Sequence, residues 1–317
     1  MAAALAHKFG QCLGDFCEER FYAVLQAFAL QHGFFVDRKG ARLARPGKKL
    51  TWKDEFANSH DLDFVIERGG TADRIGTPMA FIEVAWRRYT KHSKNKAQEI
   101  QGAVLPVRNL HQRSAPFLGA FLVGDFTPQS LVQLRSCGFR VLYFPYSSIV
   151  AACQKVKFDV HFDATTPDSE IEATLTAWNT LSLSKRNAIW DSLCTQNAAA
   201  MQEFNIGLVA AANRQIKSVR VIPLHGSAIL CKSVREAIKA VTQYQPLGGL
   251  TKPLMKYEIQ LQYGNDDCVK GEFSDVKGTL EFLNQFTGGH WTPAVVNEVA
   301  ENDLFYLLDE EDEAEAD

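Results

Sequence analysis

Apolar residues recur at positions 13, 16, 17, 21, 24, 25 and 28, the three-and-four spacing of one helix face. This predicts a helix over residues 11–32, stopped by Gly33. Residues 34–45 read as a strand and a turn around Lys39-Gly40, and residues 45–60 as a polar connection rich in turn formers. Residues 61–67 (DLDFVIE) read as a strand ended by Gly69-Gly70, and residues 79–85 (MAFIEVA) and 117–123 (FLGAFLV) as buried strands. Ser93 is placed to cap a helix over about 94–105. A helix over 128–137 begins with Pro128 in its first turn and stops at Gly138, and residues 140–146 (RVLYFPY) form a further strand. The order helix, three strands, helix, strand, helix, strand predicts an α/β fold with a partly parallel sheet covered on both faces.

Residues 157–163 (KFDVHFD) alternate strictly between polar and apolar. Asp159, His161 and Asp163 then share a face, which reads as an amphipathic edge strand rather than a metal site. A helical stretch containing Trp178, Leu181 and Trp190 runs to about residue 200. Beyond it come a strand pair, a helix, a hairpin (YEIQLQY and CVKGEF around a Gly-Asn turn) and a last helix. The expected organisation is a core over residues 1–150, a helical connection over 151–204, a small α+β module over 205–297 and an acidic tail over 298–317.

Composition narrows the class. Apolar residues make up 46% and charged residues 22%, ordinary values for a globular protein. No uncharged apolar run reaches the roughly 18 residues a membrane helix needs, and MAAALAHKFGQ does not read as a secretory signal. The seven cysteines are scattered and contain no C-x-x-C pair, which argues against a disulfide framework or a cysteine zinc site and for a reduced, cytoplasmic protein. The formal charge of −3 is unevenly spread: residues 298–317 hold ten acids and no base, so the rest has 34 bases against 27 acids. A basic body suits a polyanion, and the tail is either a competitor for that surface or a solvated terminus.

The chemistry concentrates in residues 54–101. Asp61 and Asp63 share one strand face with Val65, and Phe81, Glu83, Ala85 and Arg87 share a face of the next strand. If those faces align, the carboxylates converge. Gathered carboxylates repel one another and burial raises the cost of their charge, which a divalent cation relieves. Oxygen ligands with room for water suit Mg2+, with Mn2+ as a substitute. Such a metal serves phosphate chemistry. Downstream, Arg87, Arg88, Lys91, Lys94 and Lys96 form a basic run without an acid, fit to hold a phosphate backbone.

With DLDFVIE followed by AFIEVA in this order of elements, residues 11–146 resemble the PD-(D/E)XK nuclease superfamily, to which restriction endonucleases belong. The resemblance implies a restriction-endonuclease-like αβββαβ core with a mixed central sheet, and Mg2+-dependent hydrolysis of phosphodiester bonds in double-stranded DNA. Asp63 matches the metal-binding Asp, with Asp61 as rival or assistant, and Glu83 matches the second acid. The lysine of the motif is replaced by Ala85. Lys96, on the inward stripe of the following helix, is the first candidate for a migrated lysine, with Lys91, Lys94 and Arg87 behind it. Glu18 or Glu19 would be the acid some members carry on the first helix. Arg87, Arg88, Lys91 and Lys94 would contact DNA. A homodimer and an associated DNA methyltransferase are the implied partners, with no membrane, and the 205–297 module would recognise DNA or dimerise the chain.

Other readings stand beside this one. Ala85 fits an inactive DNA-binding module on the same fold, and the C-terminal module and tail fit a regulatory protein-interaction role. Asp61 and Asp63 also suit a solvated strand start, and Glu83 a salt bridge to Arg88 or Lys96. His60-Asp61 spells a pair used by metal-dependent phosphohydrolases, but it opens a strand rather than lying on a helix. Pro167-Asp168 fits a helix start, and His225 a turn. No phosphate-binding loop, dinucleotide fingerprint or serine elbow is found.

Overall fold

The computed structural model describes residues 2–88, 93–162, 166–224, 226–244 and 256–292. The opening helix, α1 (Ala2–His32), starts earlier than expected and ends at Gly33, whose φ of 70° is a glycine conformation. Phe9, Leu13, Phe16, Phe21, Leu25 and Phe28 form its buried stripe. A five-stranded sheet contains β1 (Phe34–Arg38), β4 (Phe64–Arg68), β5 (Thr77–Arg87), β6 (Phe117–Gly124) and β7 (Arg140–Pro145), in the order β1-β4-β5-β6-β7. The β1–β4 and β4–β5 pairings are antiparallel, and β5–β6 and β6–β7 are parallel. The fold is therefore α/β with a mixed central sheet.

The strand expected over 61–67 is divided. A small separate hairpin, β2 (Thr51–Lys53) paired with β3 (Ser59–Asp61), takes its first residue. The reason lies at Leu62, which is buried and donates its N–H to Leu50 O at 2.8 Å. Anchored there, the chain leaves the hairpin before it enters β4.

Helices α2 (Ser93–Leu110) and α3 (Pro128–Ser136) cover one face of the main sheet, where Ala97, Ile100, Val104 and Leu134 pack with Val65, Phe81, Ala85 and Leu122. On the other face α1 packs with Phe64, Ile82, Phe121 and Phe144. The helices α4 (Tyr146–Lys155), α5 (Asp168–Asn179), α6 (Leu183–Gln196) and α7 (Ala198–Ala212) complete that face, because Ile149, Trp178, Trp190, Phe204 and Leu208 join the same apolar cluster. The segment expected as a connection is thus a layer of the core, and residue 205 falls inside α7. Phe158, Val160 and Phe162 are buried and Asp159 and His161 exposed, as the alternation predicts, yet these residues form no strand. Asp163 lies outside the described residues.

The C-terminal module comprises β8 (Ile216–Pro223), β9 (Ile229–Cys231), α8 (Val234–Thr242), β10 (Tyr257–Tyr263), β11 (Cys268–Phe273) and α9 (Val276–Asn284), with a sheet ordered β11-β10-β8-β9 and a core of its own. Arg214 ties it to the main sheet: its guanidinium donates to Ser114 O, to Ala115 O at 2.5 Å and to Asp267 Oδ2 at 2.8 Å. His225 and the acidic tail lie outside the described residues. All seven cysteines are free, and no helix among the described residues is long and apolar enough to cross a membrane.

Candidate functional site

The β4–β5 register pairs Phe64 with Ile82, so the next step brings Asp63, just before β4, opposite Glu83 inside β5. The two acids interlock through the backbone. Val84 N–H donates to Asp63 Oδ2 at 2.8 Å, and Asp63 N–H donates to Glu83 Oε1 at 3.3 Å. Asp63 is half-buried and Glu83 is only 6% exposed. No cation among the described residues forms an ion pair with either carboxylate, so the salt bridges considered for Glu83 with Arg88 and Lys96 are not made.

Electrostatics follow from this burial. Desolvation pushes the pKa of Asp63 up, with the charge of Glu18 adding to the rise. Desolvation is also the main cause for Glu83, followed by repulsion from Asp63. The charge of Lys96 on α2 opposes both rises, and that of Lys39 opposes the rise at Asp63.

Each flanking group is held by its own element. Gly10, Gly14 and Glu18 are spaced four apart along one line of α1. A β-carbon at Gly10 would stand 2.5 Å from Trp86 Nε1, and one at Gly14 3.3 Å from Trp86 Cβ. The missing side chains let α1 approach β5 closely, and the next turn delivers Glu18 to the pair. Glu18 also binds Lys39 Nζ at 2.8 Å, whereas Glu19 turns outward to Arg38 at 2.6 Å. Lys96 Nζ lies 3.3 Å from Glu99 Oε2, which also holds Arg87 Nη2 at 3.6 Å. Ala85, where the motif expects lysine, is buried in the apolar cluster under α2.

Asp61 does not join the pair. It sits on the β2–β3 hairpin, where Lys49 Nζ meets its Oδ2 at 2.5 Å and Thr51 Oγ1 donates to its Oδ1 at 2.7 Å. The division at Leu62 removes it from the face it was expected to share with Asp63. His60 is likewise engaged, with its Nε2 3.0 Å from Asp54 Oδ2. Among the proposed nucleic-acid contacts, Arg88 is committed internally: it binds Asp125 at 3.0 Å, donates to Phe162 O and lies over the Tyr146 ring. Lys94 is exposed on the first turn of α2, and Lys91 lies outside the described residues. Sequence reasoning missed Lys39, which had no signal beyond its turn.

Among the described residues no group of three His, Cys, Asp or Glu side chains is close enough to hold an ion. Asp63 and Glu83 are the two residues of the site that could hold a cation. Two carboxylates are too few for a fully protein-caged metal and are the number a Mg2+ ion that keeps its waters would need. Comparison of the chain with family models, curated proteins and solved structures gives no match.

Proposed function

We propose that this chain is an Mg2+-dependent endonuclease of restriction-enzyme type, built on the restriction-endonuclease-like fold and hydrolysing phosphodiester bonds of double-stranded DNA. The observation that carries the reading is the facing pair of half-buried Asp63 and buried Glu83, unneutralised by any direct ion pair among the described residues yet flanked by the charge of Lys96. A buried acid pair is costly to ionise, and a hard cation offsets that cost.

Asp63 and Glu83 would hold the metal, which when bound polarises a phosphoryl oxygen and acidifies a water. Glu83 is fixed by the Asp63 N–H and Asp63 by the Val84 N–H, so the pair is preorganised. Lys96 stabilises negative charge developing on the phosphate, in place of the lysine absent at position 85. Glu99 restrains Lys96 and Arg87 together, and Arg87, Lys91 and Lys94 grip neighbouring phosphates. Cutting both strands calls for a two-fold homodimer, and a DNA methyltransferase would be the partner in a restriction setting.

The test is cleavage of supercoiled plasmid with Mg2+. Asp63→Asn and Glu83→Gln are each expected to lower the rate by about 100-fold or more while the protein remains folded. Full activity in both variants discards the assignment. The buried Ala85 favours a second reading, a module that binds DNA without cutting it. That reading predicts a salt-sensitive mobility shift and no cleavage with Mg2+ or Mn2+.

A further inference from the structure

A cavity of about 700 Å3 opens where the starts of β6 and β7 meet α7 and the module's β11. Its walls carry Arg108 from α2, Arg135 from α3, Arg140 from β7 and Lys270 from β11. Two acids, Glu203 and Asp267, also line it, but Asp267 is already paired with Arg214 at 2.8 Å. None of the four cations makes a side-chain hydrogen bond or ion pair among the described residues. Arg135, Arg140 and Lys270 are exposed to solvent and Arg108 is half-buried, so all four charges are open to a ligand from the cavity.

Arg108 adds a sharper observation. Its Nε is enclosed and has no hydrogen-bond partner. Arg108 is half-buried, so its guanidinium is the most sheltered of the four cations and the one a bound anion would most stabilise. Gly207 on α7 keeps the space beside Arg140 open, because even a β-carbon there would touch Arg140 Cγ at 3.4 Å and Phe117 at 3.3 Å. The positive lining continues outward. Lys270 and Arg220 both pair with Gln260, from either side of β10, so the three side chains project from one sheet face across roughly 10 Å.

We infer that this cavity is a binding site for a phosphate ester, with Arg108, Arg135, Arg140 and Lys270 as its cationic walls. Guanidinium groups match the geometry of phosphate oxygens, and the volume falls in the range of about 300–1,000 Å3 typical of nucleotide-sized ligands. The same chemistry is offered by a free mononucleotide and by the backbone of a nucleic-acid strand following Lys270 and Arg220. The site is distinct from the acid pair: Phe117 and Leu118 on its wall lie toward the start of β6 from Ala120, the residue paired with Glu83. The inference therefore does not rest on the nuclease reading.

The experiment is calorimetric titration of the full chain in chelator, so that no metal-dependent event contributes. The probes are inorganic phosphate, adenosine monophosphate and a short DNA duplex. At least one ester is expected to bind saturably. Binding is expected to weaken roughly tenfold or more, a change of about 1.4 kcal/mol, in the Arg108→Gln/Arg140→Gln double variant. Asp63→Asn is expected to bind as the parent does. Binding of the mononucleotide alone identifies a small-molecule site, and binding of the duplex alone identifies a strand-backbone site; either supports the inference. Should the double variant fail to fold, Arg140→Glu, which changes an exposed residue, carries the same expectation. Saturation by no probe, or unchanged affinity in a folded variant, overturns the inference.

Discussion

Among single residues, Glu83 controls the energetics of the acid pair. Burial and the neighbouring Asp63 push its carboxyl up to about 8, against roughly 4.3 for an exposed Glu. The folded state therefore binds this proton more tightly than the unfolded state. Stability from this group is full below the unfolded value, falls as pH rises through the interval and levels off above the folded value. In chelator, Glu83→Gln is expected to leave the melting temperature nearly unchanged at about pH 4.5 and to raise it by several degrees at about pH 8. Paired thermal melts check this, and an equal shift at both pH values would contradict it. On the proposed reading, Lys96 would act in the chemistry and not in metal holding. Lys96→Met is expected to cut plasmid cleavage by about 100-fold or more while keeping the Mg2+-induced rise in melting temperature. Loss of that rise would instead make Lys96 part of the binding scaffold.

At the level of elements, the parts of the site that were readable came from periodicity. The 3.6 stripe of α1, the apolar runs of β5 and β6 and the Pro128 start and Gly138 stop of α3 depend on residues close in the chain, so local pattern carried them, whereas Ser93, expected as the cap of α2, is its first residue and meets Thr127 and Ser130. What escaped depends on distant contacts. The division between β3 and β4 rests on Leu62 meeting Leu50, and it moved Asp61 onto a hairpin with Lys49 and Thr51. The assignment of α5, α6 and α7 to the core rests on Trp178, Trp190 and Phe204 packing with α1, which no spacing encodes. Lys39 reaches the site because its loop is held rigidly behind β1. There Arg42 binds Asp37 and Glu67, both at 2.7 Å, and donates to the carbonyls of Thr71 and Arg74, while Arg45 also binds Asp37. Arg42 and Glu67 have side chains 4% and 0% exposed, so Arg42→Met leaves a buried carboxylate uncompensated. The expected loss is about 3–5 kcal/mol in chemical denaturation. A loss under about 1 kcal/mol would mean the network is not the staple of this sheet edge.

Over the whole molecule, the main sheet with an apolar cluster on each face and the module with its own core are coupled through a small polar seam. Arg214 is the centre of that seam, with its side chain 8% exposed. It satisfies Ser114 O and Ala115 O on the main-sheet side, and it meets Asp267 and the Tyr263 ring on the module side. Ala115 holds a positive φ of 41°, a conformation alanine adopts at a cost. Arg113 with Gln285 at 3.4 Å is a weaker stitch. Arg214→Ala is expected to cost about 2–3 kcal/mol through these lost charge-assisted bonds. The acid pair sits just before β4 and on β5, away from the seam, so Mg2+-dependent cleavage should change little at temperatures where the variant is folded. Hydrogen exchange distinguishes local from global loosening: faster exchange is expected at residues 111–116 and 263–269, with β5 and β6 protected as before. Uniform acceleration across β5 and β6 would show that the module is an integral part of the main core.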